Sequence, residues 1–356
     1  MIYRWLVLVF LLSNMGLGLF AQDSLVSIVA EKGDGIYSIL RNQGINPTKY
    51  YAEFVSLNGE NLKEGSQLIE GQSYIMPFAP DSVKELGTEI DLDEGTEYPI
   101  FGKELALVIP KSKRLNGTVY YLVSGHGGPD PGAIETLKGK TIAEDEYAYD
   151  VTLRLAKELL SHGAMVYIIV RDENDGIRDY EALEIDRDEV VYPHKKIPLG
   201  QLARLEQRVE TVNKLYLKNV GKYQRLIVTH VDSRSKGQNI DVFFYYHEKS
   251  KNGRRLAESV HHTFKRKYKK YQPNREYTGT FSDRSSLYLV KNTLPAMVYI
   301  EIGNIKNQKD QRRILNPDNR QAMAKWISQG ILDDREMEPS KPNPGLLTNT
   351  KFEGEQ

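Results

Sequence analysis

"TVYYLVSGHGGPDPGA", residues 118–133, joins two opposed kinds of sequence. Its first six residues form an unbroken β-branched, aromatic and aliphatic run, which suits a strand buried on both faces. The rest packs four glycines and two prolines around one imidazole, that of His126. Both residue types disfavour the interiors of helices and strands, so this part reads as a tight loop that holds His126 in place. Downstream, "EDEYAYDVTLRLAKELLSHG" (144–163) sets Ala148, Val151, Leu155 and Leu159 on one helical face and stops at Gly163. Strand, loop and helix in that order open an α/β arrangement.

The alternation continues outward. "MVYIIV" (165–170), "RLIVTH" (225–230), "NIDVFFYY" (239–246) and "AMVYIEIGN" (296–304) read as strands. Between them, Leu202, Leu205, Val209, Val212 and Tyr216 mark one helix, and Leu256, Val260 and Phe264 another. A last helix is expected from an Asp318 cap through Trp326. Strands separated by helical patterns predict an α/β domain over residues 98–335, with a mostly parallel sheet flanked by helices.

The N-terminal part has a different character. In "MIYRWLVLVFLLSNMGLGLFAQ", Arg4 precedes an apolar run from Trp5 to Leu12, and Ala21 is a small residue suited to cleavage. This predicts a signal peptide over 1–21, an exported protein (periplasmic or extracellular, associated with the cell wall) and no stable membrane insertion after cleavage. Residues 25–78 read as strand, helix, helix, strand, a small α+β unit. An acidic linker over 79–97 and a disordered tail over 336–356 complete the expected organisation.

The totals narrow the chemistry. The chain has 356 residues, of which 40% are hydrophobic, enough for one sizeable core and a small second unit. Its 48 basic and 48 acidic residues cancel, which gives no support to a nucleic-acid partner. With no cysteine, a thiolate nucleophile, a disulfide and thiolate metal ligands are all excluded. Any metal site must use His, Asp or Glu.

Ligand sites in open α/β sheets lie past the carboxyl ends of the strands. His126 follows one predicted strand, His230 closes another and Glu301 closes a third, while Glu144 opens the helix after the glycine loop. Two histidines, a carboxylate and an open fourth position suit a catalytic zinc ion, with a further carboxylate as general base. Glu144 has a rival role, because Thr141 stands three residues before it in a capping-box pattern. His162 precedes a helix-ending glycine, where a cation suits the dipole. His261 and His262 fall in a basic helical stretch, and His194 and His247 have no comparable strand-end placement.

Together these motifs resemble the zinc-dependent N-acetylmuramoyl-L-alanine amidases over about residues 118–332: "GHGGPDPGA", a helix-opening glutamate, a strand-end histidine and "EIGNIKN". The resemblance implies zinc held by His126, Glu144 and His230, with Glu301 as catalytic base. It also implies supporting or substrate-binding roles for Arg171, which follows "YIIV", and for Arg208 and Asn213 in "QRVETVN". The implied reaction cleaves the amide between N-acetylmuramic acid and L-alanine in peptidoglycan, with a protein regulator as a further partner. A zinc peptidase acting on the stem peptide, or a non-catalytic wall-binding or activator protein, are the alternatives. Residues 25–78 resemble a lysin-motif domain at Gly33-Asp34, Leu57-Asn58, Gly71-Gln72 and Met76-Pro77, which implies glycan binding.

Several features depart from the pattern or add to it. Ser124 stands where that family usually has an aspartate, Asn304 where it has a large apolar residue, and "VTHVDS" (228–233) is divergent. The acidic stretch 172–200 is longer than expected; it reads as a surface insertion, with a lid or self-inhibitory element, through His194 or an acid reaching the metal, as the alternative. "FKRKYKKYQPNREY" (264–277) interleaves basic and aromatic residues. It reads as a solvated helix face, with contact to anionic wall polymers or glycan stacking as the functional alternative.

Overall fold

The computed structural model describes residues 27–77, apart from 44 and 46, and 95–338, apart from 234–236 and 238. The expected signal peptide, most of the linker and all but the first three residues of the expected tail lie outside the described residues.

Contacts separate an N-terminal unit from a larger one. The first runs β1 (Ser27–Val29), α1 (Ile36–Asn42), α2 (Pro47–Asn58) and β2 (Ser73–Ile75). Its strands pair antiparallel, Ser27 opposite Ile75. Ile36, Ile39, Phe54 and Tyr74 are buried. The Asn58 amide donates to the Phe54 and Ile75 carbonyls, and its oxygen accepts from the Ile75 N–H, so one side chain fastens β2 to α2.

The second unit is built on β3 (Thr118–Ser124), α3 (Glu144–Ser161), β4 (Met165–Ile168), α4 (Gln201–Lys218), β5 (Tyr223–Asp232), β6 (Phe243–Tyr246), α5 (Lys251–Tyr271), β7 (Phe281–Asp283), β8 (Ala296–Asn304), α6 (Gln308–Leu315) and α7 (Pro317–Glu336). The six strands form one sheet in the order β7-β6-β8-β5-β3-β4. Strands β8, β5, β3 and β4 run parallel, β6 lies antiparallel to β8, and β7 runs parallel to β6. This is the mixed, mostly parallel α/β architecture expected.

Burial follows the two-residue period of a strand. Tyr120 and Leu122 of β3 pack in the cluster that holds α3, α5 and α7 residues. Val119, Tyr121 and Val123 pack on the other face, with Val212 and Leu215 of α4. Both faces are covered, hence the unbroken apolar run.

Four local expectations change. Helix α3 is buried well beyond the one apolar face that its sequence marks, since every residue except Lys157 is buried. Its polar face is satisfied internally: Asp150 accepts from Arg154 at 2.7 Å and from the fully buried Arg320 at 2.6 Å. The last helix is capped by Asn316, whose side chain accepts from the Asn319 N–H, with Pro317 in the first turn, instead of by Asp318. The end of the expected linker, Thr96–Glu97, pairs with Leu107–Val108. Beyond α7, Glu338 bonds Arg225 at 3.2 Å, so the unit runs past residue 335.

Candidate metal centre and active site

Strand register builds the site. In the β5–β8 pair, His230 lies opposite Glu301, and in the β5–β3 pair Thr229 lies opposite Ser124. The Gly125 N–H donates to the Thr229 carbonyl at 2.7 Å, which carries the ladder into the glycine loop. Three adjacent parallel strands therefore end at one rim, and His126, His230 and Glu301 arrive there together.

Close packing explains the glycines. A Cβ on Gly125 would fall 2.3–2.5 Å from the His230 ring, and one on Gly132 would fall 2.7 Å from Cδ2 of His126 and 2.8 Å from Oε2 of Glu144. His126 itself adopts φ +61°, a left-handed conformation uncommon outside glycine and costly enough to mark a functional constraint.

Glu144 does not complete a capping box. The residue preceding α3 is Ala143, and no side chain caps the helix. The Glu144 carboxylate instead spans the rim: Oε1 lies 3.0 Å from Nδ1 of His230 and accepts from the Val231 N–H at 3.0 Å. Oε2 accepts from the Ala133 N–H at 3.0 Å and lies 3.4 Å from Nε2 of His126. One donor atom from each of His126, Glu144 and His230 lies within 4.8 Å of the others. Two imidazoles and one carboxylate at that spacing, all lining one cleft, fit the donor set of a catalytic zinc site.

The neighbours set charge and orientation. Asp130, two residues past the glycine pair, lies 3.0 Å from Nδ1 of His126 and accepts from Arg204 at 2.7 Å. Burial opposes charging of His126, but the bonds to Asp130 and Glu144 outweigh it and push its pKa up to about 10. For Glu144 burial acts the other way, yet the two histidines hold its carboxyl below the usual carboxylate range. Burial pulls His230 down toward the neutral ring that metals bind. The His230 ring also stacks on Tyr299, centroids 4.7 Å apart and planes 16° apart. Arg208 donates to the His126 carbonyl, which braces the strained backbone; burial lowers its pKa to about 10, so it stays a cation at neutral pH.

A cleft of about 340 Å³ opens over this rim. Glu301, Arg208, Asp130 and the three ligand candidates line it, with Leu205, Leu287 and Leu289 as an apolar wall. Arg171 and Asn213 are not among the lining residues. Arg171 is buried beside the Pro193 carbonyl, and Asn213 bonds the Asn292 carbonyl and the Leu294 N–H, a framework role. No residue of 172–200 lines the cleft either. The insertion grips the loop from behind: Glu189 accepts from the Gly128 N–H at 2.6 Å, and Arg178 bonds Glu146 at 2.8 Å. His194 contacts Glu173 rather than the ligand group. Crowded carboxyls collect at this seam. Burial raises the pKa of Asp145 to about 9, and those of Glu146 and Asp172 to about 7.

The profile of a family described as N-acetylmuramoyl-L-alanine amidase matches residues 121–333, more than half of the chain and all four residues of the rim. The chain belongs to this amidase family. A germination-specific N-acetylmuramoyl-L-alanine amidase of Bacillus subtilis is 25% identical over 224 residues, 63% of this chain and 82% of the relative. Among solved structures, the CwlD amidase of Clostridioides difficile, in complex with the GerS lipoprotein, is 20% identical, with a TM-score of 0.46 over 63% of this chain and 100% of that one. An N-acetylmuramoyl-L-alanine amidase of Nostoc punctiforme is also 20% identical, with a TM-score of 0.43 over 62% of this chain and 97% of that one.

Sequence reading missed Asp130 and Tyr299. Asp130 stood within the quoted loop, four residues after His126, yet only the turn brings it back onto the ring. Ser124 takes no such role, for its Oγ has no hydrogen bond among the described residues. Orientation of His126 therefore falls to Asp130. Asp130→Ala is expected to weaken metal binding about 10–100-fold, read by competition with a chelator of known affinity.

Proposed function

We propose that the protein is an exported zinc-dependent amidase that cleaves the bond between the lactyl group of N-acetylmuramic acid and L-alanine in peptidoglycan. The observation that carries this reading is the convergence of His126, Glu144, His230 and Glu301 at one rim of a chain in the amidase family.

His126, Glu144 and His230 would hold the ion. Zinc bound there would supply Lewis-acid polarisation of the scissile carbonyl and of water. Glu301, in the same cleft and in register with His230, accepts the water's proton on its carboxylate and returns it to the leaving amine. Asp130, 3.0 Å from Nδ1, would orient the His126 ring with Nε2 toward Glu144. Arg208 fixes the loop carbonyl, and the leucine wall sheds water from the reacting amide. Because His126 holds a proton tightly, binding of a cation there would have to displace that proton and would weaken as pH falls.

The strand–helix–helix–strand unit supports a glycan-binding role that keeps the enzyme on its polymer. Export rests on the N-terminal apolar run. Among the described residues no helix is long and apolar enough to cross a membrane. A protein regulator is part of the proposal, by analogy with the relative solved with a lipoprotein.

Digestion of purified peptidoglycan tests the reading. The expected products are glycan with free lactyl carboxylates and intact stem peptides beginning at L-alanine, and their formation stops with a chelator. Shortened peptides still attached to glycan would replace this reading with a stem peptidase; unchanged polymer would leave a binding protein.

A further inference from the structure

Beyond β8 the chain turns sharply, and the Ile305 N–H donates to the carbonyl of Asp232, a residue of the cleft wall. From this turn a line of cations leads away. Lys306 lies in the turn, and Lys309 and Arg312 follow at steps of three, which places the last two on one side of α6. The opposite side of α6 faces inward, where Asp310, Arg313 and Ile314 are buried.

The charges of this region are unevenly neutralised. Arg313 bonds Asp310 at 2.8 Å and Asp241 at 3.2 Å, and Arg275 also pairs with Asp241. Lys306, Lys309 and Arg312 form no ion pair among the described residues. Lys309 is common to two cavities. One, of about 430 Å³, takes in Lys306 and Asn307, with the Glu135 carboxylate also on its wall. The other, of about 440 Å³, takes in Arg275, Arg312, Tyr268 and Trp326, and no acidic residue lines it. The Trp326 ring stacks with that of Tyr271, centroids 6.2 Å and planes 4° apart, and its indole lines the cavity beside the cations.

A solvated basic helix face is convex and carries its counter-charges along the same helix. Here cations with no ion pair among the described residues border concave space beside an indole, in a chain whose total charge is zero. We infer that α6 and Trp326 form a second substrate-binding site, which holds stem-peptide carboxylates of the peptidoglycan polymer outside the metal cleft. The identity of the polymer rests on the amidase reading. Stem peptides carry free carboxylates at intervals along a glycan strand. Lys309 and Arg312 pair with these anions, and Trp326 offers its face to the adjoining sugar. The site raises the local concentration of uncut bonds near the cleft, so it favours polymer over soluble fragments.

The test is co-sedimentation of the full chain with purified peptidoglycan freed of phosphate-containing polymers, in a Glu301→Gln background that leaves the polymer intact. Reversing both charges, Lys309→Glu with Arg312→Glu, is expected to weaken binding about tenfold at low salt, and the difference should vanish near 1 M salt. The neutral pair Lys309→Gln with Arg312→Gln should lose less. Peptidoglycan whose carboxylates have been amidated should bind the unreversed protein as weakly as untreated polymer binds the reversed one. With Glu301 restored, the reversed protein should show a raised KM on polymer and unchanged turnover of a soluble muramoyl-peptide. Equal binding by the reversed protein overturns the inference, as does a loss seen only on walls that keep their phosphate polymers or only on nucleic acid. Failure of the amidase reading would show separately, as polymer left uncut by the unsubstituted chain.

Discussion

Glu301→Gln should lower turnover on peptidoglycan by a factor of about 10²–10⁴ while the protein keeps one zinc per chain. The side chain lines the cleft from the end of β8, and its strand pairs it with His230 without making it one of the three grouped donors. Glutamine conserves shape and length but cannot take a proton from water at neutral pH. The loss should therefore appear in kcat, with little change in KM, because proton transfer is needed in the transition state and not for polymer binding. Metal analysis and steady-state kinetics on one preparation make the check. Loss of zinc together with activity would make Glu301 a ligand instead of a base.

His126→Ala is expected to lose both zinc and measurable activity. Two donors would remain, and Glu144 would keep its bonds to the Val231 and Ala133 N–H groups, so the loop has a reason to persist without the metal. Gly125→Ala approaches the same end by shape alone. Its new methyl would have to displace the His230 ring, which is fixed by its stack on Tyr299. That variant should lose metal although every ligand is still present, with a normal far-ultraviolet spectrum. Retained zinc in Gly125→Ala would show that the strand ends are looser than their packing indicates.

Much was legible locally. Strands 118–124, 223–232 and 296–304 are covered on both faces, so each contains an apolar stretch, VYYLV, LIV and AMVYI, that needs no partner to be recognised. His126, His230 and Glu301 sat at or just past the ends of those runs, where chain direction alone assigns them to one edge. Helix α3 misled for the converse reason. Its polar residues carry no local sign of burial, yet Asp150 is neutralised inside the core by Arg320, 170 residues away. The strand 165–170 was read as one piece, but it breaks at Ile169, where pairing passes to the short strand Val190–Val191 of the insertion.

The boundary between the two kinds of knowledge has a physical cause. Periodicity and turn chemistry act over a few residues, and they sufficed for the element order, the parallel sheet, the excluded thiol chemistry and the identity of His126, His230 and Glu301 as strand-end groups. The position of Glu144 between the two histidines instead of in a capping box, the tie of Asp130 to His126, the absence of Arg171 and Asn213 from the cleft lining and the insertion's place behind the loop depend on contacts between distant segments. Those contacts form only when register sets neighbouring strands side by side, and nothing in a short stretch of chain encodes their distances.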